Sequence, residues 1–304
     1  MPLEEPHTHR PPADLVLPAP AKLNLLLRIL GRRPDGYHEL QTLFQLLDFG
    51  DELALTRTDA KDITLASDGD AAGIPLTDNL VYRAARLLQE HSNSSHGAHI
   101  HLHKHLPLGG GIGGGSSDAA TTLLGLNHLW QCDLPVDTLA ELGRQLGADV
   151  PVFVRGHTAW AEGVGEELVP VQTATRHFIV VVPGCSVSTA AVFGHPRLTR
   201  DSGAITLPHL RDGRLDTDWL ERHSSNDCQP LVEDLYPAVR AARQWLQQFA
   251  RAQLTGTGAC VFAAFDSAYE AQQVLRQLPA KWEGFVAAGV NISPAHERLA
   301  KATQ

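Results

Sequence analysis

Residues 106–130, LPLGGGIGGGSSDAATTLLGLNHLW, put six glycines into the seven positions from Gly109 to Gly115, then Ser116, Ser117 and Asp118, then apolar residues at helical spacing. The preceding AHIHLHKHLPL alternates as a strand, and Ala119, Leu123, Leu126 and Trp130 trace one face of the following helix. A strand, a glycine-rich turn and a helix start make an anion site. The first helical N–H groups are unpaired, the helix dipole is positive there, and glycine lets backbone approach a phosphate with no Cβ in the way. Ser116 or Ser117 can cap the helix, and either hydroxyl can instead meet a phosphate or a magnesium ion. A low-complexity linker is rarely flanked so closely by a strand and an amphipathic helix. The Walker pattern fails because Gly115 is followed by Ser116 and Ser117 rather than by Lys and Ser/Thr. Gly109, Gly111 and Gly114 satisfy Gly-x-Gly-x-x-Gly, but in so dense a run some spacing must fit. Asp133, at the distance of a ribose ligand, lies in a proline-bearing loop rather than at a strand end, which argues against a dinucleotide fold.

The chain has 304 residues, enough for two cores of ordinary domain size. At 43% hydrophobic and 19% charged it reads as soluble and globular, and no apolar run approaches the roughly 18–20 residues of a membrane span. The N-terminal MPLEEPHTHRPPADL lacks the pattern of a secretory signal, so residues 1–14 are expected to be a disordered lead-in and the protein cytoplasmic. A net charge of -9 argues against general affinity for nucleic acid, which needs a basic face. Any phosphate must be gripped locally. Cys132, Cys185, Cys228 and Cys260 lie far apart with no Cys-x-x-Cys pair, so neither zinc nor a disulfide framework is indicated.

LVLPAPAKLNLLLRIL (15–30) is strand-like, with Ala21, Leu23, Leu25 and Leu27 on one face and Lys22, Asn24 and Arg28 on the other. Pro34, Asp35 and Gly36 supply a turn, Tyr37 and His38 sit just past it, and a strand-rich run resumes. DNLVYRAARLLQEH is a helix with Asp78 or Asn79 as its cap. VDTLAELGRQLGADVPVFV is another, ended near Gly147, with Asp149 in its exit turn and Pro151 forbidding continuation. HFIVVV is a strand leading through a Pro-Gly turn toward a helix, YPAVRAARQWLQQF a helix, AQLTGTGACVFAAF a strand with a glycine-rich kink, SAYEAQQVLRQLP a helix and GFVAAGVNI a final strand. Strands and helices mix without regular βαβ alternation, which predicts an α+β fold with largely antiparallel sheets. The boundary falls near Val169, giving an N-terminal catalytic domain over 1–168 and a C-terminal domain over 169–304.

LPLGGGIGGGSSDAA resembles the central motif of the GHMP kinases (galactose, homoserine, mevalonate and phosphomevalonate kinases), in the glycine-richer form of the branch that acts on 4-diphosphocytidyl-2-C-methyl-D-erythritol. PAKLNLLLRILGRRPDGYHELQTLFQLLDFGD, LGADVPVFVRGHTAWAEGVGE, SSNDCQP and LTGTGACVF resemble the same branch, in the same order along almost the whole chain. The resemblance implies a two-domain fold, with a ribosomal protein S5 domain 2-like N-terminal part and a ferredoxin-like α/β sandwich C-terminal part. It implies ATP-dependent phosphorylation of the 2-hydroxyl of that alcohol, with Mg2+ accompanying ATP, in a monomer or weak homodimer. ATP is expected along Pro107, Gly109, Gly110, Gly111, Ile112, Gly113, Gly114, Gly115, Ser116 and Ser117, with Ser117 a candidate for Mg2+. Asp149 matches the family's general base and Lys22 its active-site lysine, suited to lower the hydroxyl's pKa or neutralise developing charge. An Asp at a helix C-terminus is disfavoured by the dipole, which suggests a reason other than stability. Asn24 is expected on the sugar alcohol, Tyr37 and His38 in the cytidine pocket, and Phe193 facing Tyr37 across the base. Gly256, Thr257 and Gly258 match the third family motif beside the phosphate loop, and Thr189 is a candidate phosphate contact. Asn226 and Asp227 read as structural. The alternatives are another GHMP kinase of a small alcohol, and a nucleotide-binding sensor without catalysis.

His99, His101, His103 and His105 alternate on the strand before the glycines, opposite Ile100, Leu102, Lys104 and Leu106. A flat strand presents such residues about 6–7 Å apart, too far to share one metal ion, so a solvated face is expected.

Overall fold

The computed structural model describes residues 13–208, 210 and 214–302. The expected lead-in lies outside the described residues as far as position 12, whereas Asp14 is placed and accepts the Arg57 N–H at 2.8 Å. Ten strands are described: β1 (Leu15–Arg32), β2 (His38–Thr58), β3 (Ile63–Ser67), β4 (Gly97–His103), β5 (Ala159–Glu162), β6 (Glu167–Pro170), β7 (His177–Val182), β8 (Ala252–Leu254), β9 (Val261–Phe265) and β10 (Glu283–Val290). The α-helices among the same residues are α1 (Leu80–Ser92), α2 (Gly114–Leu129), α3 (Val136–Leu146), α4 (Val150–Arg155), α5 (Thr189–Gly194), α6 (Thr217–His223), α7 (Gln229–Leu235), α8 (Pro237–Leu246), α9 (Ala268–Leu275) and α10 (Pro294–Ala302).

The strands follow the order β3-β4-β2-β10-β7-β9-β8, with β1 and β5 also on β2 and β6 on β5. Every strand pairing is antiparallel except β3 with β4, in keeping with an α+β fold. Burial follows the strand period of two: in β7, Ile179 and Val181 pack among Val239, Ala242 and Leu246 of α8, while Phe178 and Val180 pack on the other face with Leu23, Leu47 and Trp160. A separate core holds α1, α2 and α4 against β1, β2 and β4, through residues such as Val81, Leu88, Leu123, Leu126, Val152 and Leu55.

Four local expectations change. β1 breaks register between Asn24 and Leu26, so Leu25 and Leu26 are both buried and Leu27, not Arg28, returns to the side of Lys22 and Asn24. Arg28 instead donates to the Gly203 carbonyl at 3.0 Å. The kinked strand over 252–265 is the hairpin β8–β9 around Thr255–Cys260. The helix after Val136 stops at Leu146, and α4 then begins with Asp149 as its N-cap and Pro151 in its first turn, a place where proline fits because its missing N–H has no helical partner. Finally, α2 is capped by Gly113 without a side-chain bond, leaving Ser116 and Ser117 inside its first turn rather than at the cap.

Candidate active site

The phosphate loop is gripped by its carbonyls. Gly109 O accepts from Ala259 N at 3.1 Å, Gly110 O from Cys260 N at 3.0 Å, Gly111 O from Thr255 Oγ1 at 3.2 Å and Ile112 O from Lys22 N at 2.9 Å. Turning the acceptors into the protein is what an anion on the other side requires. Gly111 (φ +72) and Gly113 (φ +77) hold left-handed conformations, and a Cβ on Gly111 would stand 2.4 Å from Thr255 O. The loop therefore packs directly on the Thr255–Gly258 turn, which Asn226 Nδ2 fixes by donating to Leu254 O and Gly256 O at 2.9 and 2.8 Å. The first i to i−4 bond of α2 runs from Ser117 N to Gly113 O at 2.8 Å, so the N–H groups of Gly114, Gly115 and Ser116 precede the ladder.

These groups border a cleft of about 440 Å³ whose lining includes Lys22, Asn24, Pro107, the run from Gly109 to Ser116, Asp149, Thr189, Phe193, Gly256 and Thr257. Ser117 is not among its lining residues: its side chain is fully buried and its Oγ has no partner. Lys22 is also buried, and its ammonium lies 2.6 Å from Asn24 Oδ1, 3.1 Å from Asp149 Oδ2 and 3.2 Å from Gly111 O. Asn24 Nδ2 donates to Thr42 Oγ1 at 2.8 Å, and that hydroxyl donates to Leu26 O at 2.6 Å, so the amide is oriented from behind. Asp149 keeps 36% of its side chain exposed, at the N-terminus of α4, where the dipole favours a carboxylate. The expected helix C-terminal position, and the argument from dipole repulsion, are thereby reversed.

Phe193 on α5, which lines the cleft, meets His38, with ring centroids 5.0 Å apart. Tyr37 stands 63% exposed on its turn and is not among the cleft's lining residues. Arg200, which sequence reasoning passed over, ties this group together: Nε donates to His38 Nε2 at 3.0 Å and NH2 to the carbonyls of Phe193 and His195 at 2.8 Å. Burial first, then the charges of Arg200 and Arg32, hold His38 below its usual 6.5. The ring is then neutral at pH 7, with Nε2 accepting from Arg200 and Nδ1 carrying the proton. Thr189 Oγ1 lies 2.9 Å from Thr257 Oγ1, and Gly258 is not among the lining residues.

Behind the loop is a buried ionic cluster. Lys104 Nζ lies 2.5 Å from Asp51 and 2.7 Å from Asp118 in the first turns of α2, with all three side chains at most 3% exposed. Asp51 Oδ1 also accepts from the N–H groups of His105 and Leu106. Burial pushes the Asp118 carboxyl up to about 8 against the pull of Lys104, and its Oδ1 has no partner. A proton kept on Asp118 leaves one cation facing one carboxylate, the neutral arrangement a dry interior favours. The signal was in the sequence: Lys104 falls on the apolar side of its strand, with Ile100, Leu102 and Leu106.

Known proteins agree with this picture. The profiles of the GHMP kinases N terminal domain and GHMP kinases C terminal match residues 79–157 and 213–284. A Pseudomonas putida protein called 4-diphosphocytidyl-2-C-methyl-D-erythritol kinase is 56% identical over 285 residues, 94% of this chain and 96% of that protein. A Tolumonas auensis protein of the same name is 53% identical over 287 residues, again 94% of this chain and 96% of its own. Among solved structures, a crystal structure of 4-(cytidine 5'-diphospho)-2C-methyl-D-erythritol kinase superposes with a TM-score of 0.78 at 31% identity, over 91% of this chain and 100% of that one. Methanococcus jannaschii mevalonate kinase shares the fold at a TM-score of 0.65 and 14% identity, over 91% and 98% of the two chains. With its glycine loop, its two matched domains and relatives alike along nearly their full length, the chain belongs to the GHMP kinases, in the family of the 4-diphosphocytidyl-2-C-methyl-D-erythritol kinases.

Proposed function

We propose that the protein transfers the γ-phosphoryl group of ATP to the 2-hydroxyl of 4-diphosphocytidyl-2-C-methyl-D-erythritol, giving the 2-phosphate and ADP in non-mevalonate isoprenoid precursor synthesis. The observation that carries the reading is the Lys22–Asp149 pair beside the Gly111 carbonyl, at one edge of the glycine-loop cleft. The triphosphate lies along the N–H groups from Gly109 to Ser116. The substrate oxygen attacks the γ-phosphorus, its proton passes to Asp149, and the bond to the β-phosphate oxygen breaks with the electron pair leaving on ADP. Lys22 balances the charge that gathers on the attacking and equatorial oxygens, and Asn24 orients the alcohol. Mg2+ enters with ATP. In the cleft the Asp149 carboxylate and the Ser116 hydroxyl would hold it as hard oxygen ligands, and it would supply positive charge against the phosphates.

The cytosine stacks on Phe193, with Tyr37 closing over it from solvent and His38 at its edge. Stacking of this kind is worth about 1–3 kcal/mol, and His38 Nδ1–H is the donor for the base edge. Thr189, Gly256 and Thr257 meet the diphosphate, and Gly258 supports them. All these groups come from one chain, so a monomer or weak homodimer in the cytoplasm suffices, without nucleic acid or membrane. The test is transfer from γ-labelled ATP to the cytidyl alcohol, run beside the same alcohol without its cytidine, homoserine and mevalonate. Transfer to the cytidyl compound alone is expected. Transfer to another alcohol removes the substrate assignment, and ATP binding without transfer to any favours a sensor.

A further inference from the structure

The histidine row on β4 does not act as one face. His99 Nδ1 lies 2.6 Å from Thr64 Oγ1, and His105 Nδ1 lies 3.1 Å from Gly50 O. His101 and His103 instead turn toward each other, with ring centroids 4.1 Å apart. Both reach the same oxygen of Asp68, His103 Nδ1 at 2.8 Å and His101 Nε2 at 3.7 Å. The parallel register of β3 on β4 explains the meeting. Ser67 lies opposite Leu102, so the next residue, Asp68, emerges beside the two histidines that flank Leu102. The strand spacing that separates histidines along β4 is overcome by a ligand from the neighbouring strand.

We propose that Asp68, His101 and His103 form a site for a divalent transition-metal ion of the zinc class. Their donor atoms all lie within 4.8 Å of one another, and tetrahedral bonds of about 2.0 Å place ligand atoms about 3.3 Å apart. Small rotations of two half-exposed rings and one carboxylate close that difference with no backbone shift. The Asp68 carboxylate is already oriented as a ligand. Lys104 N–H donates to its Oδ1 at 2.9 Å, which leaves Oδ2 to the imidazoles, the kind of outer support that metal ligands carry. Two imidazole nitrogens and one carboxylate select zinc, cobalt, nickel or copper over magnesium, which takes oxygen. The ion therefore does not compete with the magnesium of ATP, and a position stays open to water. A bound ion ties the chain after β3 to β4, one residue before Lys104, whose ammonium holds the first turns of α2. The site is thus a clip on the strand that carries the phosphate loop.

Calorimetric titration of the untagged full-length protein with ZnCl2, in buffer with excess Mg2+, tests the site. One tight equivalent is expected in wild type, weakened at least about tenfold in His103→Ala and in Asp68→Asn, and kept in His99→Ala and His105→Ala. Zinc should also raise the melting temperature of wild type and of the two control variants, and leave His101→Ala and His103→Ala unmoved. Kinase activity without zinc should be the same in His103→Ala as in wild type, which checks that the variant is folded. Failure of wild type to bind zinc above magnesium, or equal binding by folded His103→Ala, overturns the proposal.

Discussion

Lys22 engages three acceptors, on Asp149, Asn24 and Gly111, so its charge is fixed before any substrate arrives. A charge held this way needs no reorganisation during phosphoryl transfer. Lys22→Met should lower kcat by about 10²–10³-fold with the KM for ATP changed far less, since the loop N–H groups remain; steady-state kinetics on both substrates checks this. His38 gives a second prediction. Its pKa lies below 6.5, so acid converts an acceptor for Arg200 into a second cation beside it. The KM for the cytidyl substrate should rise as pH falls below 6.5, kcat at saturation should change less, and the rise should flatten in His38→Gln. At this scale Lys22 and Asn24 were legible because alternate residues of a strand share a side. Arg28 was misplaced because a bulge beyond Asn24 flips that parity, and Arg200 was invisible because its partners, His38 and Phe193, lie far away in the chain.

The loop and α2 form one mechanical element, clamped in front by the Thr255–Gly258 turn and behind by Asp51, Lys104 and Asp118. In Gly113→Ala the new Cβ would stand 2.7 Å from the Phe153 ring at a φ of +77, so ATP binding should be lost while the far elements stay folded, as calorimetry and circular dichroism would show. Lys104→Ala strands the buried Asp51 carboxylate and should cost about 3–5 kcal/mol in chemical denaturation. Asp118→Asn should behave differently. Because the folded value of about 8 lies above the ordinary 3.8, the stability this carboxyl lends below pH 3.8 is lost as pH rises toward 8. An amide has no such loss, so the melting temperature of Asp118→Asn should gain on wild type between those values, and a constant difference would contradict the assignment. The strand, the glycine turn and the helix were readable from pattern. The start of α4 at Asp149 was not, because a proline after a helix reads equally as its end or as the first turn of the next.

Across the molecule, segments from both sides of Val169 share one sheet. β10 returns to pair with β2 at Leu46 and Leu47, and α10 follows it, with His296 Nε2 2.9 Å from Val154 O and Ser293 N 2.8 Å from Gly156 O. Expressed alone, residues 1–168 should therefore fail to fold cooperatively, whereas addition of a fragment carrying 169–304 should restore a sharp melting transition. Local periodicity gave most of the helices and strands but not this return, because pairing between residues more than two hundred positions apart leaves no local pattern. The same long-range packing joins Thr255 to Asn24 and Gly111, bringing the third glycine turn to the first strand and the loop. At that junction the proposed reaction turns on Asp149 as the group that receives the proton. Its most direct test is single-turnover transfer from ATP to 4-diphosphocytidyl-2-C-methyl-D-erythritol by Asp149→Asn, with both ligands saturating and their affinities measured separately. A rate lowered by about 10²–10⁴-fold at near-unchanged affinities is the predicted result. An undiminished rate would contradict it.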